Sequence, residues 1–201
     1  MRRTCGCPNS AIWMLGDSPP SKHEHWLDEP LDRRFPTRHN IWTSIESVIN
    51  RELFVHDRSR IDDRRFFVYN AVASSKTWEN ESAINMELSE FRKQVGDNRP
   101  FLFLAFGRRA FEFARRFQGE EPNTRFSSLS VPKIKEQFDA RFPAVRQGEK
   151  SLLPLLHASI ARQPESCYKA YKTNYFEYVG CELATIFKEH REDERFSKLW
   201  M

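Results

Sequence analysis

Four short apolar runs in the chain alternate with segments whose apolar residues recur at helical spacing. The runs have the length of strands and cover residues 11–15, 66–69, 101–106 and 151–156. The helical pattern occupies residues 42–54, 84–95, 108–117, 133–141 and 174–190, and residues 18–40 read as a polar loop. Nearly continuous apolar strands separated by helices are typical of parallel sheets with both faces covered. We therefore predict an α/β fold of three layers, α/β/α, around a central, mostly parallel four-stranded sheet.

Length and composition favour one folded domain. The chain has 201 residues, of which 39% are hydrophobic, and it shows neither an internal repeat nor a linker long enough to divide it. We expect a single domain over residues 1–201, with a substantial core. No apolar run approaches the roughly 20 residues that a membrane span requires. The N-terminal stretch is a poor signal peptide because polar residues interrupt it, so we expect a cytoplasmic protein without a membrane partner.

The basic residues are mostly arginines, and they are clustered. The net charge is +4, and arginines stand close together at positions 33, 34 and 38, at 58, 60, 64 and 65, at 108 and 109, and at 115 and 116. Such clusters suit a polyanion, because neutralising its phosphates releases counterions. The alternative is a solvated surface on which acidic neighbours pair with the arginines, and charge alone does not separate the two.

Four cysteines lie towards the two ends of the chain, at positions 5, 7, 167 and 181. They could ligate zinc or an iron–sulfur cluster if the termini met, but their spacing matches no common metal motif. We expect free thiols, with no metal and no other cofactor.

Each predicted strand ends at polar or conformationally special residues. In strand order these are Asp17 and Ser18, Asn70, Gly107, and His157 with Ser159. In open α/β sheets, ligands bind outside the carboxyl ends of the strands. The sequence therefore predicts a functional site at this edge of the sheet.

Ser18 raises the alternative of a GDSL-type serine hydrolase. A serine nucleophile needs a histidine within hydrogen-bonding reach and usually an acid that orients the histidine. None of the six histidines has an Asp three residues before it, and Pro19 follows Ser18 where the GDSL enzymes have Leu. A hydrolase using Ser18 is therefore the weaker interpretation.

Four short motifs follow one another along the chain, each near the end of a predicted strand. They are GDSPP at 16–20, YNAV at 69–72, RPFLFLAFGRRA at 99–110 and HAS at 157–159. Their order and placement resemble the uracil-DNA glycosylase superfamily, in which the corresponding elements read GEAPG, TNxVK, RP-strand-LGxxA and HPS. The resemblance extends from about residue 11 to residue 187.

The resemblance implies a monofunctional DNA glycosylase. Such an enzyme hydrolyses the N-glycosidic bond of a damaged or modified pyrimidine that has left the base stack, and it leaves an abasic site. By this resemblance Asp17 orients the attacking water and His157 donates a hydrogen bond to the departing base. Asn70 reads the edge of the base. The structural alternatives are a turn-forming Asp17, an Asx-turn at Asn70 and a purely structural His157.

The same resemblance supplies further site residues. Phe35 stacks on the extruded base, although an aromatic residue in that loop is as typical of the core. Gly16 and Ser18 belong to the base pocket. The remaining candidates contact DNA, in the minor groove or at phosphates, and they are Ser159, Arg162 and Arg38.

The chain departs from the family in the loop that follows the first motif. Pro20 replaces a small Gly there, and Asp28 in the long loop is a second candidate carboxylate. The four cysteines of the GEAPG-type enzymes are not reproduced, so the resemblance implies no iron–sulfur cluster. These changes leave the base open between uracil and a modified cytosine.

The modified cytosines of some phage genomes would make the protein a bacterial phage-defence enzyme. DNA is the expected partner, and the protein is expected to be a monomer. A different class of function remains, namely a catalytically inactive DNA- or nucleotide-binding module of the same fold.

Overall fold

The structure is a computed structural model of the chain. It describes residues 3–19, 28–30, 32, 34, 36–96, 98, 100–122, 129–149, 151–161 and 163–201. For residues 36–41, 158, 164 and 166 it describes the backbone alone.

One mixed sheet of five strands forms the centre of the protein. The strands are β1 (Thr4–Gly6), β2 (Ile12–Gly16), β3 (Phe67–Asn70), β4 (Leu102–Phe106) and β5 (Leu152–Leu155). Their spatial order is β1-β3-β2-β4-β5, with β3, β2, β4 and β5 parallel and β1 antiparallel at the edge. The protein is therefore an α/β protein as predicted, and the four predicted strands are present.

The predicted number of strands is wrong, because β1 adds an antiparallel edge. This strand has three residues, Thr4, Cys5 and Gly6, none of them buried. It carries no apolar run, and only its pairing with β3 makes it a strand. Edge strands are commonly short, and so short a strand leaves no periodicity in the sequence.

Seven α-helices accompany the sheet in the described part of the chain. They are α1 (Pro36–Asp57), α2 (Glu81–Gly96), α3 (Arg108–Phe117), α4 (Val131–Arg146), α5 (Ala158–Ala161), α6 (Pro164–Tyr171) and α7 (Tyr175–Glu189). Short 3₁₀ turns cover Asp63–Arg65, Ser75–Glu79 and Glu194–Phe196. Residues 36–40, which the sequence pattern places in a loop, are helical. Pro36 stands at the first position of α1, where proline costs no backbone hydrogen bond.

Helices cover both faces of the sheet. On one face Trp13 of β2 contacts Phe103 of β4 and Phe91 of α2, with ring centroids 6.0 and 5.8 Å apart. Side chains along a strand alternate between the two faces of the sheet, and Phe106 follows Phe103 by three residues, so it points to the opposite face. There it contacts Trp42 of α1 at 6.5 Å. Burial of these rings against the sheet supplies much of the hydrophobic stabilisation.

No helix among the described residues has the length and apolarity needed to cross a membrane.

Candidate functional site

A cavity of about 400 Å³ lies at the carboxyl ends of β2, β4 and β5. We call it the strand-end cavity. Its polar wall contains Asp17, Arg108, Arg109, His157 and Ser159, and residues of α4 and of the segment before it supply an apolar wall. Its size falls within the range of small-molecule sites, roughly 300–1,000 Å³. It lies where the strand ends predicted a site.

Asp17 is held in place from several sides. Its carboxylate Oδ1 accepts a hydrogen bond from the indole Nε1–H of Trp78 at 2.5 Å. Its Oδ2 lies 3.6 Å from Nη1 of Arg109. The backbone is held as well, because the carbonyl of Asp17 accepts from the N–H of Val72 at 3.2 Å. The carboxylate therefore has a defined orientation at the cavity wall.

The contacts of His157 with Ser159 define its tautomer. Its Nδ1 accepts from the backbone N–H of Ser159 at 3.3 Å and lies 3.0 Å from the Ser159 hydroxyl. A backbone N–H can only donate, so Nδ1 carries no proton, and the neutral ring has its proton on Nε2. Nε2–H is thus the donor that His157 can offer a ligand.

The imidazole is held in its neutral form. Although part of the residue is exposed, desolvation by the cavity walls lowers the pKa of His157 below its usual value of 6.5. The charge of Asp17 raises that pKa, but its effect is the smaller of the two. Asp17 and His157 are therefore close enough to sense each other electrostatically, one as a carboxylate and the other as a neutral donor.

Gly107 brings the end of β4 close to His157. It adopts φ 89° and ψ 170°, and a Cβ built on it would lie 3.0 Å from Cβ of His157. Only glycine adopts this conformation readily. Its place before α3 also puts Arg108 and Arg109 in the first turn of that helix, facing the cavity. Two arginines at the positive end of a helix dipole give this wall a concentrated positive charge.

Asn70 lies one strand away from this arrangement. It is buried at the end of β3 and pairs in register with Gly16. A Cβ at Gly16 would lie 2.5 Å from Oδ1 of Asn70, so glycine makes room for the amide. The side chain makes no hydrogen bond to the described residues, and it does not line the strand-end cavity.

An N-terminal arginine fixes the backbone around Asn70. Arg3 donates to the carbonyls of Asn70 and Ala71, at 2.9 and 2.5 Å, and forms an ion pair with Glu87. Glu87 in turn accepts from the N–H of Ala73 at 3.1 Å. Hydrogen bonds from Arg3 and to Glu87 therefore hold the backbone that carries the Asn70 amide.

Two further predicted residues lie outside the cavity. Ser18 is half-buried and does not line it. Asp28 has a side chain that is 83% exposed and is paired with Arg34 at 2.6 Å. Its segment lies beside β1, where the thiol of Cys5 contacts the carbonyl of Pro30 at 3.1 Å. The structure does not bring Ser18 or Asp28 together with His157.

Three predicted DNA or base contacts are without a described side chain. Phe35 and Arg162 lie outside the described residues, and Arg38 is described only as backbone within α1. Of the predicted DNA contacts, Ser159 is at the cavity and hydrogen-bonds His157.

Sequence reasoning missed Trp78 and the role of Arg109. Trp78 lies in a polar 3₁₀ turn after β3 and belongs to none of the sequence motifs. Arg109 enters the sequence analysis only as one of a pair of arginines and as part of the RPFLFLAFGRRA motif. An isolated Trp in a polar loop is the one sequence signal that could have indicated a partner for a strand-end carboxylate.

The cysteines carry free thiols. Burial raises the pKa of Cys167, which makes this thiol less reactive. Glu52, Glu177 and Cys181 come close enough to one another to hold a metal ion. However, the guanidinium of Arg51 already pairs with both carboxylates and offsets part of their charge.

Neither protein-family models nor curated protein sequences give a match to this chain.

Proposed function

We propose that the protein is a monofunctional DNA glycosylase, which hydrolyses the N-glycosidic bond of a flipped-out pyrimidine and leaves an abasic site. The observation that carries the proposal is that Asp17 and His157 line the same cavity, one as an oriented carboxylate and the other as a neutral hydrogen-bond donor. The order of the four sequence motifs supports it, because Asp17 and His157 are the residues that the resemblance assigns to catalysis.

Asp17 acts on the sugar side of the reaction. When the bond between the base nitrogen and C1′ breaks, its electron pair leaves with the base, and positive charge develops on the sugar. The carboxylate offsets that charge, orients a water molecule towards C1′ and accepts the proton that the water loses. The hydrogen bond from Trp78 keeps the carboxylate in one orientation during these steps.

His157 acts on the base side. The departing pyrimidine collects negative charge on its carbonyl oxygen, and Nε2–H of His157 stabilises that charge by a hydrogen bond. A neutral imidazole is suited to this, because Nδ1 is occupied by the backbone N–H of Ser159 and the lowered pKa keeps the ring unprotonated near neutral pH.

The proposed base is uracil or a modified cytosine, as in some phage genomes, and the latter would make the role phage defence. Asn70 is the candidate reader of the base edge, since it is fixed on the turn next to Gly16. DNA is the partner, and the positive wall at Arg108 and Arg109 is suited to its phosphates.

A base-release assay tests the proposal. The protein is incubated with DNAs containing uracil, hypoxanthine or mismatched thymine and with phage DNA containing modified cytosine. Abasic sites are then converted to strand breaks with alkali. We expect breaks in one of these DNAs, and their absence from all of them would refute the proposal.

Two carboxylate variants locate the chemistry. Asp17→Asn should lose base release while DNA binding persists, because the amide cannot accept the proton from water. Asp28→Asn is the matched control, since it changes an exposed carboxylate outside the cavity, and it should retain release. The opposite pattern would transfer the catalytic role to Asp28.

One observation favours a second candidate, a DNA- or nucleotide-binding module without catalysis. Arg109 pairs with the carboxylate that the reaction needs. If the protein is a binding module, neither the wild type nor Asp17→Asn should release a base, and both should bind DNA in a salt-dependent manner. The serine hydrolase alternative gains no support, because Ser18 does not line the cavity with His157.

A further inference from the structure

The two oxygens of Asp17 have partners of unequal strength. Trp78 donates to Oδ1 at 2.5 Å through a group that cannot leave without moving a half-buried ring. The ring is packed against Phe113 of α3, with centroids 6.4 Å apart. Trp78 is therefore the partner that fixes the carboxylate.

Arg109 is the weaker partner. Its closest nitrogen lies 3.6 Å from Oδ2, too far for a good hydrogen bond, and its side chain is 43% exposed, against 26% for Asp17. Elsewhere in the protein Arg34 contacts Asp32 through two nitrogens, at 2.9 and 2.6 Å. The guanidinium of Arg109 also lies 5.8 Å from the Trp78 ring, at the outer limit of a cation–π contact. An exposed ion pair of this geometry is easily exchanged.

A nucleotide phosphate offers Arg109 a better partner than Asp17 does. A phosphate can accept two parallel hydrogen bonds from a guanidinium, and such bidentate pairs are stronger than a single long contact. Arg109 already lines the strand-end cavity, so the exchange requires a change of side-chain conformation and no movement of the backbone. Asp17 would keep its orientation, because the hydrogen bond from Trp78 remains.

We infer that Arg109 is a phosphate-binding residue that covers Asp17 in the free protein and transfers to a nucleotide phosphate when the substrate enters. This inference rests on the proposed function and deepens it. The transfer couples the arrival of the nucleotide to the exposure of Oδ2, the oxygen that then orients water. Trp78 is the positioning residue for Asp17, and Arg109 ties the availability of the carboxylate to substrate binding.

An NMR titration follows the transfer without relying on catalysis. The indole N–H of Trp78, assigned by its loss in Trp78→Phe, reports on the Asp17 contact and on the guanidinium beside the ring. Thymidine 5′-monophosphate should shift this resonance, whereas thymidine, which has no phosphate, should not. In Arg109→Gln the ligand-free resonance should already lie near the position of the phosphate-bound protein and should respond little to the nucleotide.

Affinity provides the quantitative test. Loss of a charge-assisted bond corresponds to about tenfold or more in affinity, so Arg109→Gln should bind thymidine 5′-monophosphate about tenfold more weakly. Arg109→Lys keeps the positive charge but cannot form two parallel hydrogen bonds, so its affinity for thymidine 5′-monophosphate should be intermediate. For a single-stranded oligonucleotide with a tetrahydrofuran abasic site, the slope of log affinity against log salt should fall by about 0.7 in Arg109→Gln. Arg92→Gln, which removes an exposed arginine of α2, is the charge-matched control and should show none of these changes.

Several outcomes would overturn the inference. Equal affinities of wild type and Arg109→Gln would do so, as would an equal response of the indole to thymidine and to its monophosphate. Binding of inorganic phosphate as tight as that of the nucleotide would refute a nucleotide phosphate as the ligand. Where base release is measurable, Arg109→Gln should raise KM more than it lowers kcat, and Trp78→Phe should lower kcat more than it raises KM.

The NMR result and the base-release assay are independent. If the indole responds as expected and no DNA loses a base, the proposed catalysis fails while the phosphate transfer stands. If bases are released and the indole shift does not depend on Arg109, the glycosylase stands and this inference fails.

Discussion

Replacing Gly107 with Ala should damage the site through His157. Gly107 has φ 89° and ψ 170°, a region that is essentially restricted to glycine and that costs other residues about 1–3 kcal/mol. The added Cβ would lie 3.0 Å from Cβ of His157, so the imidazole must move by a few tenths of an ångström. The backbone at His157 cannot easily follow, because the N–H of Leu156 donates to the hydroxyl of buried Tyr175 at 2.9 Å.

These two effects have different sizes and different readouts. A loss of about 1–3 kcal/mol leaves a domain with a typical stability of about 5–15 kcal/mol mostly folded, so unfolding alone leaves the activity largely intact. A donor misplaced by about 1 Å can lower a rate about 100-fold. For the smaller shift at His157 we expect base release per folded molecule to fall about tenfold.

The assay combines urea denaturation with single-turnover base release. Gly119→Ala is the matched control, since Gly119 also has a positive φ of 78° but a Cβ there would meet nothing within 4 Å. It should lose about 1 kcal/mol of stability and keep its rate. If Gly107→Ala releases bases as fast per folded molecule as Gly119→Ala does, contact with Gly107 does not position His157.

Three further predictions concern charge. The pKa of His157 is lowered from 6.5 in the folded protein, so as pH falls the unfolded chain binds a proton at this histidine before the folded chain does. The free energy of unfolding should therefore decrease as pH falls from about 6.5 through the folded pKa of His157. Asp17→Asn should lower the pKa of His157 further, since the substitution removes the negative charge that raises this pKa. NMR titration of the imidazole protons tests this, and an unchanged pKa would show that the two side chains do not interact electrostatically. Glu112 is 1% exposed and accepts from Arg115 and Arg116, each at 3.0 Å. Arg115 and Arg116 keep Glu120 and Glu81 as partners when Glu112 is changed. Glu112→Gln should therefore cost about 1–3 kcal/mol in urea denaturation, the range for a lost hydrogen bond to a charged group, and an unchanged stability would contradict this.

Local pattern was sufficient for most secondary structure. The helix predicted over residues 108–117 has the same bounds in the structure, because Gly107 ends the strand and the buried residues Ala110, Phe111 and Ala114 give it an inner face. Asn174 caps α7 by accepting from two backbone N–H groups, as expected where that helix was predicted to begin. The early start of α1 and the eight-residue α6 were not predicted, since short or polar helices depend on packing for their stability.

The sequence by itself determined which residues stand at strand ends. Asp17, Asn70 and His157 follow apolar runs, and a strand end is a local property of the chain. Which of these ends meet was decided by the order of the strands. β4 lies between β2 and β5, so Asp17 and His157 share a cavity beside α3, whereas β3 places Asn70 on the other side of β2.

The partners of the catalytic candidates were likewise decided only by the tertiary structure. Trp78 hydrogen-bonds Asp17 across 61 positions of sequence, and Arg109 approaches the same carboxylate from the start of α3. The lowered pKa of His157 arises from the walls that surround it. Burial, distance and electrostatic field are properties of the packed chain. The sequence could therefore name the candidate residues, whereas their charge, orientation and reach depend on the fold.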